Sequence, residues 1–302
     1  MSATLMSWNK SDPSVGFIGF GEAGSNIAKG LKSAGLTQIF AFDIDPDRVR
    51  QNAQEIGIPL LESSHHLCVS ARVLISTVTC ARAREAAQQT VPFLTPQHIY
   101  ADLNSVSPAL KQQIEQVVVA TGASFVEAAV MSPVPPRGHQ APMLLGGKAA
   151  TGFAALMSPY GMRLEVVSEN VGTAAATKMF RSIIVKGLEA LMLECVLAAT
   201  PYGADERVFA SLSESFPGID WQRLANYMVG RVIVHSERRA REMEEVAETL
   251  HELGIEPIMA AAAARRQDWC AKLRISTKFG PDGPKTYREA LEAIASCTES
   301  HE

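Results

Sequence analysis

The glycine-rich segment Gly19-Phe20-Gly21-Glu22-Ala23-Gly24 constrains the fold of this chain more than any other feature. It ends the apolar run Val15–Phe20, which is typical of a strand buried on both faces, and it opens a helical pattern. In such a segment the first glycine permits a tight turn, the second lets the backbone approach a pyrophosphate, and the third lets the helix pack on the strand. The helix N-terminus offers free N–H groups to the phosphates. The segment therefore predicts a Rossmann-type turn that binds a dinucleotide.

An acidic residue stands where this kind of site needs one. Asp43 follows the next predicted strand, Ile39–Phe42, and lies 22 positions after Gly21. A carboxylate here accepts hydrogen bonds from the ribose hydroxyls of NAD and repels the 2′-phosphate of NADP. Two alternatives stay open: Asp43 caps the following turn, or Arg48 holds a 2′-phosphate from the helix that Pro46 opens. We predict that NAD is the cofactor and that NADP is disfavoured.

Strand-like and helical patterns alternate for about 150 residues, which is typical of a mostly parallel, doubly wound sheet. The further predicted strands are Val73–Val78, Ile99–Leu103, Phe125–Val130, Pro142–Leu145 and Arg163–Val167. From Gly172 onward the patterns are helical, over residues 173–200, 203–214, 220–252, 257–274 and 285–297. We therefore predict an α/β fold: an N-terminal Rossmann domain, residues 1–170, followed by an all-α domain, residues 171–302.

Composition excludes several classes of protein. A chain of 302 residues is long enough for two cores. A net charge of -4 gives no dominant cationic face, so we expect no nucleic-acid partner. The five cysteines are widely spaced and include no CxxC pair, which argues against a disulfide framework and a zinc site. The N-terminal residues do not read as a signal peptide, and no apolar stretch reaches about 18 residues. We expect a cytoplasmic protein with no membrane partner and no metal.

Three further segments follow the glycine segment in order. They are Asp102-Leu-Asn-Ser-Val-Ser-Pro108, Gly172-Thr-Ala-Ala-Ala-Thr-Lys178 and Arg241-Glu-Met-Glu-Glu-Val-Ala. They resemble the motifs D-x-S-T-x-x-P, G-x-G-x-x-x-K, with alanine for the second glycine, and K-D-L-x-L-A of the beta-hydroxyacid dehydrogenase family. That family includes 3-hydroxyisobutyrate and 6-phosphogluconate dehydrogenases, and a 6-phosphogluconate dehydrogenase-like subgroup of unassigned function looks most similar. The resemblance spans residues 15 to about 260.

The resemblance implies a role for each matching residue. Lys178 is then the acid/base that mediates proton transfer. Asn104 and Ser105 take the places of a serine and a threonine that contact substrate and cofactor. The other positions implied to contact the cofactor are Val78, Thr79 and Arg241.

Two departures from the family's motifs fall at substrate-contact positions. The family's S-G-G loop is replaced by Met131-Ser132-Pro133, and the asparagine pair after the lysine is replaced by Arg181-Ser182. We therefore predict that Ser132, Arg181 and Ser182 contact a substrate that differs from those of the familiar members. Arg137 and His139, on the proline-rich loop that follows, are candidates to replace the lost contacts.

The segment 173–200 is nearly apolar all round, which predicts a buried helix. A polar stripe interrupts it within an arc of about 140°; its members are Lys178, Arg181, Ser182, Lys186 and Glu189. The stripe lines either a cleft or a solvated edge that carries a Lys186–Glu189 pair. We favour the cleft, where desolvation and the cations Arg181 and Lys186 would lower the pKa of Lys178 enough for it to act as a base. Three cations also predict an anionic substrate.

The leading hypothesis is an NAD-dependent dehydrogenase that interconverts a small anionic 3-hydroxy acid and its oxo acid, with or without decarboxylation. One alternative is C=N reduction, because imine reductases share this architecture, although they generally lack the lysine. Another is a non-catalytic dinucleotide-binding or sensor protein. The long helix and the small second domain predict a homodimer or a dimer of dimers.

Overall fold

The computed structural model describes residues 13–298. These residues divide into two compact units, the first ending at Lys178 and the second beginning at Met179. The seven strands are β1 (Val15–Ile18), β2 (Ile39–Phe42), β3 (Val73–Ser76), β4 (Ile99–Asp102), β5 (Ser124–Val130), β6 (Met143–Gly146) and β7 (Leu164–Ser168). The helices are α1 (Glu22–Ser33), α2 (Pro46–Ile56), α3 (Ser64–Ser70), α4 (Ala83–Thr90), α5 (Pro108–Val119), α6 (Ala150–Met157), α7 (Thr173–Ala199), α8 (Asp205–Ser215), α9 (Trp221–Glu252), α10 (Ile258–Lys272) and α11 (Tyr287–Thr298). The division between the units falls within α7, eight residues after the predicted boundary.

The strands of the first unit form one sheet in the order β2-β1-β3-β4-β5-β6-β7. Its strands are short apolar runs, and apolar side chains fill a core on each face. One core includes Phe17 and Val126, and the other includes Leu74 and Tyr100. This arrangement confirms the predicted α/β class with a doubly wound N-terminal sheet. The predicted strands are present, but β1, β3 and β4 each end one or two residues earlier than expected.

The last two strands reverse direction, which the sequence patterns did not indicate. β5 and β6 pair antiparallel, and β6 and β7 pair parallel. β6 and β7 therefore run opposite to the first five strands, and β7 ends at the level of the sheet where β1 to β4 end.

Paired residues consequently form a single row across the sheet. The register joins Phe42, Ile18, Ser76, Asp102, Glu127, Gly146 and Ser168. We call this set the carboxyl row, because it contains the last residues of β1, β2, β3, β4, β6 and β7. Ligands of doubly wound sheets bind beyond such a row, at the point where neighbouring strands send the chain in opposite directions. Here that point lies between β1 and β3.

The second unit contains only helices among its described residues. Its cores are built around α9, which packs against α10 and α11. The part of α7 in this unit contributes Leu193 and Val196 to one core. Its other side is not buried in the chain: Ile184 and Leu191 are 65% and 53% exposed. The expectation that this helix is buried on all faces is therefore wrong for the single chain.

None of the helices within residues 13–298 has both the length and the apolar character that a membrane span would need.

Candidate functional site

The glycine turn after β1 is built as the sequence predicts. Gly19 has a φ of +83°, a conformation that favours glycine, and a Cβ there would lie 2.7 Å from Val78. A Cβ at Gly24 would lie 2.6 Å from the carbonyl oxygen of Gly19. Gly21 caps α1 without a side chain, and the space around its Cα is open. The turn therefore leaves the first N–H groups of α1 accessible, which suits an anion such as a pyrophosphate.

Asp43 ties the end of β2 to this turn. Its Oδ2 accepts a hydrogen bond from the N–H of Phe20 at 2.7 Å, and its Oδ1 accepts one from the N–H of Asp45 at 2.9 Å. The carboxylate thus caps the following turn, as one alternative held, and also orients the glycine turn. Each carboxylate oxygen has a second lone pair available for a ribose hydroxyl.

A cavity of 400 Å³ lies beyond β1, β2 and β3. Predicted cofactor residues line it together with side chains that the sequence analysis did not assign; the lining includes Gly19, Gly21, Glu22, Asp43, Val78, Thr79, Arg82, Glu85, Gln89 and Thr90. Arg48 also lines the cavity from α2. The glycine turn, the open helix end and the acidic residue beside this volume fit the adenosine and pyrophosphate parts of a dinucleotide.

The loop after β4 is supported by a buried ion pair. Lys111 Nζ lies 3.1 Å from Asp102 Oδ1 and donates to the Asp102 carbonyl oxygen at 2.7 Å. Both side chains are at most 1% exposed. Asp102 Oδ1 also accepts the N–H of Asn104 at 2.8 Å, so the ion pair holds the start of the loop. A pair buried this deeply needs its full set of partners, because each isolated charge would be costly.

The two predicted substrate residues of this loop differ in exposure. Asn104 is buried and donates from its side-chain amide to Ser76 Oγ at 2.9 Å, whereas Ser105 is exposed. Within residues 13–298, Asn104 Oδ1 is a buried acceptor that receives no hydrogen bond. The Ser105 carbonyl oxygen accepts the thiol of Cys80 at 2.8 Å. Ser107 caps α5 through its Oγ, as expected for a serine directly before a proline at the first helical position.

The helix that carries Lys178 begins beside this loop. The N–H of Ala176 donates to the carbonyl oxygen of Gly172, so the first helical bond of α7 starts there. A Cβ at Gly172 would lie 3.5 Å from Cβ of Pro108, the first residue of α5. Lys178 follows Gly172 by six residues, about 9 Å along a helix axis, and its side chain is half-buried.

Farther along α7, the polar stripe pairs with α9. Lys186 Nζ lies 2.6 Å from Glu242 Oε2 and donates to Ser182 Oγ at 3.0 Å. Glu189 Oε2 lies 2.5 Å from Arg239 Nη1. The alternative in which Lys186 pairs with Glu189 on a solvated edge is therefore wrong, since both side chains are buried and their partners lie on α9.

These contacts change what Lys186 can contribute. Burial lowers the pKa of Lys186, although Glu242 opposes that shift by pairing with the ammonium. The positive charge is thus balanced within the second unit. Lys186 is therefore a weaker candidate for a substrate contact than its position in the stripe indicated. Arg181, by contrast, is exposed.

Two other predicted residues have contacts of their own. Arg241 is exposed and binds Glu244 through Nη1 at 2.6 Å and Asp268 through Nη2 at 3.4 Å. Its contact with the cofactor stays a prediction, as do those of Val78 and Thr79. Ser132 is half-buried at the start of the proline-rich loop and donates to the neighbouring Pro133 carbonyl oxygen at 3.3 Å.

His139 lies on the flank of α1 instead of facing open solvent. Its ring fills the space beside Gly30 of α1, and a Cβ at Gly161 would lie 3.0 Å from its Nε2. Burial lowers the pKa of this imidazole. The placement gives His139 a packing role, and it leaves the exposed Arg137 as the candidate on this loop.

Sequence reasoning missed three residues that shape the site. Thr77 donates from its hydroxyl to the Gly19 carbonyl oxygen at 2.7 Å and so holds the glycine turn. Lys111 and Glu127 are fully buried charges, at 1% and 0% exposure. A polar residue directly after a buried strand was the available signal for Thr77. A single charge within an apolar strand was the signal for Glu127.

Comparisons with known proteins agree with this geometry. Residues 14–154 match the NAD binding domain of 6-phosphogluconate dehydrogenase, and residues 199–270 match a domain of unknown function, DUF1932. A conserved hypothetical protein from Sinorhizobium meliloti 1021 is 33% identical, with a TM-score of 0.83 over 95% of this chain and 97% of its own.

Two other relatives connect the chain to named enzymes. The conserved protein MTH1747, described as of unknown function and structurally similar to 3-hydroxyacid dehydrogenases, is 30% identical. Its TM-score is 0.76 over 87% of this chain and 98% of its own. A mitochondrial 3-hydroxyisobutyrate dehydrogenase of Drosophila melanogaster is 24% identical over 68% of this chain and 64% of its own length. With the four motifs in order and a dinucleotide site at the carboxyl row, the chain belongs to the beta-hydroxyacid dehydrogenase family.

Proposed function

We propose that this protein is an NAD-linked oxidoreductase that interconverts a small anionic 3-hydroxy acid and its oxo acid. The carboxyl row carries the proposal. The glycine turn, Asp43, the Asn104–Ser105 loop and the start of the Lys178 helix all follow residues of that row. The glycine turn and the start of the Lys178 helix therefore lie at one level of the sheet, where Glu127 of the same row accepts the N–H groups of Gly172 and Ala174.

NAD is the cofactor that we propose, on the strength of Asp43. A carboxylate held at 2.7 Å from the Phe20 N–H cannot move away from a 2′-phosphate without losing that bond. The like-charge contact would disfavour NADP, whereas the ribose hydroxyls of NAD would donate to the same oxygens. NAD supplies the hydride-accepting nicotinamide when it is bound.

Lys178 is the proposed general acid/base. Oxidation of an alcohol removes the hydroxyl proton as hydride leaves the same carbon, and a neutral amine can take that proton. In the reverse direction the ammonium returns the proton to the carbonyl oxygen. Asn104, with its buried unbonded acceptor, and the exposed Ser105 are proposed to hold the substrate and its hydroxyl.

A local excess of positive charge between α7 and α9 supports an anionic substrate. The ionic cluster between α7 and α9 contains four cations, Lys186, Arg231, Arg238 and Arg239, and two carboxylates, Glu189 and Glu242. Its formal charge is therefore 4 − 2 = +2. Arg231 and Arg238 are the members that keep side-chain exposure, at 32% and 64%.

Reduction of a C=N bond and non-catalytic dinucleotide sensing are the rival functions. The presence of Lys178 disfavours the first, because the proton-transfer lysine is the feature that imine reductases generally lack. A homodimer in the cytoplasm remains our proposal for the assembly and its location. The exposed apolar side chains of α7, Ile184, Leu188 and Leu191, give a second copy a surface to cover.

The decisive experiment follows NADH absorbance with NAD and a panel of 3-hydroxy acids that begins with 3-hydroxyisobutyrate and serine. Lys178→Met should lower kcat by about 10²–10⁴-fold while the Kd for NAD changes less than twofold. Lys178→Arg should not restore activity, because a guanidinium stays protonated. Measured release of CO₂ separates simple oxidation from oxidation with decarboxylation. Full activity of Lys178→Met would refute the proposed mechanism, and turnover of any acid would exclude a purely sensory role.

A further inference from the structure

We propose that Glu127 is a positioning residue that fixes the Lys178 helix to the sheet, an inference that rests on the proposed role of Lys178. Glu127 lies on β5 and is 0% exposed. Its partners are 45 to 48 residues away in the chain, at the N-terminus of α7.

The carboxylate of Glu127 accepts three backbone hydrogen bonds. Oε1 accepts the N–H groups of Gly172 at 2.8 Å and Ala174 at 2.9 Å, and Oε2 accepts that of Ala175 at 3.3 Å. The first N–H groups of any helix lack partners within the helix, and a residue next to the helix start usually caps them. Here the cap comes from a strand instead, so it fixes the helix relative to the sheet.

The surrounding backbone is shaped to admit this carboxylate. Any side chain at Gly146, its neighbour in the sheet register, would overlap Glu127 Oε1. Gly172 has a φ of +107° and is confined by Gln112, whose side chain donates to the Val171 carbonyl oxygen at 3.1 Å. Gly146 thus makes room for the carboxylate, and Glu127 and Gln112 both hold the turn into α7.

Three bonds to N–H groups within one turn of backbone set both the height and the rotation of the first helical turn. Lys178 lies about 9 Å farther along the same helix, so a shift of that turn moves the amine with it. A misplacement of about 1 Å can cost about 10²-fold in rate. A negative charge at a helix N-terminus is also favourable, so the contact is strong as well as directional.

The test compares Glu127→Gln with a control that loses equivalent bonds elsewhere in the first unit. Glutamine keeps the shape of the side chain, but its amide faces the Ala175 N–H with a donor. The control is His98→Gln, because buried His98 bonds to Thr95 and the Cys68 carbonyl oxygen at the opposite end of β4. With NAD and 3-hydroxyisobutyrate, Glu127→Gln should lower kcat at least tenfold and His98→Gln less than twofold, with the Kd for NAD kept within twofold in both.

A double variant distinguishes positioning from general support. If Glu127 acts through Lys178, adding Glu127→Gln to Lys178→Met should change the residual rate less than twofold. If Glu127→Gln lowers the rate by the same factor in the wild type and in Lys178→Met, the proposal is overturned. Should Lys178→Met be fully active, the proposed function itself fails; an inactive Lys178→Met beside a normal Glu127→Gln refutes the positioning role alone.

Hydrogen exchange gives a readout independent of turnover. The amides of residues 172–178 should exchange at least tenfold faster in Glu127→Gln, while β1 and β3 stay protected as in the wild type. Unchanged exchange there would overturn the proposal whatever the activity. If Glu127→Gln does not fold, Gly146→Ala keeps the charge and displaces Oε1, and the same loss of kcat and of protection is expected.

Discussion

The Nδ1 atom of His139 occupies the position that a side chain at Gly30 would need. A histidine from the proline-rich loop thus lies directly against the backbone of α1, in the helix that begins at the glycine turn. The loop that replaces the family's S-G-G segment is therefore fastened to the flank of α1.

This contact predicts that the effect of Gly30→Ala on stability depends on whether His139 is present. Gly30→Ala should destabilise the wild type by about 1–3 kcal/mol, because the new methyl group overlaps the imidazole. In a His139→Ala background the same change should stabilise the protein by up to about 1 kcal/mol, since alanine is the better helix residue. Urea unfolding of the four proteins measures both effects. Destabilisation of equal size in both backgrounds would show that the ring moves aside freely.

Burial of His139 also predicts a dependence of stability on pH. Because its pKa is lowered from 6.5 in the folded protein, the unfolded chain binds more protons as the pH falls below that value. Its contribution is therefore complete above pH 6.5 and is lost as the pH drops through the folded pKa. The free energy of unfolding, measured from about pH 5 to 8, should fall less steeply in His139→Gln. Burial and Arg238 also lower the pKa of His235, so its contribution to stability is likewise lost as the pH falls. His235→Gln should therefore remove a separate part of the pH dependence.

Two buried lysines should differ in their importance for stability. Lys111→Met leaves Asp102 buried without its cation and should cost about 3–5 kcal/mol. Lys186→Met should cost less, about 1–2 kcal/mol, because its partner Glu242 keeps 37% side-chain exposure and water can solvate it. The unfolding transition of each unit, followed separately, measures the two costs. Equal losses would mean that Glu242 is effectively desolvated.

Cofactor choice should change with the charge of Asp43. The wild type should bind NAD at least tenfold more tightly than NADP, a difference of about 1.4 kcal/mol or more. Asp43→Asn keeps an acceptor for the Phe20 N–H and removes the charge, so it should improve NADP binding with little loss of NAD. Asp43→Ala should weaken NAD as well, because the glycine turn loses its tether. Calorimetric titration with both cofactors tests this, and equal wild-type affinities would contradict the assignment.

Much of this architecture could be predicted from local patterns. Short apolar runs, glycine positions and the Ser107-Pro108 cap depend on residues close together in the chain, and the structure confirms them. The reversal of β6 and β7 depends on pairing between distant segments, which leaves no periodic signal. The partner of Lys186 was missed for the same reason: Glu242 lies 56 positions away, whereas Glu189 was its neighbour on the helix. The order of the four motifs predicted where the site lies, but the buried charges that support it, Lys111 and Glu127, could be found only in the structure.

The cap on α7 has a consequence for where this chain can be divided. A fragment cut at residue 170, the boundary that the sequence indicates, would retain Glu127 in the sheet without the three N–H donors that satisfy it. A fragment that continues to Lys178 keeps all of them. The nucleotide-binding half should therefore fold on its own only when it retains the first two turns of α7, although the sequence pattern of that helix assigns it to the other half.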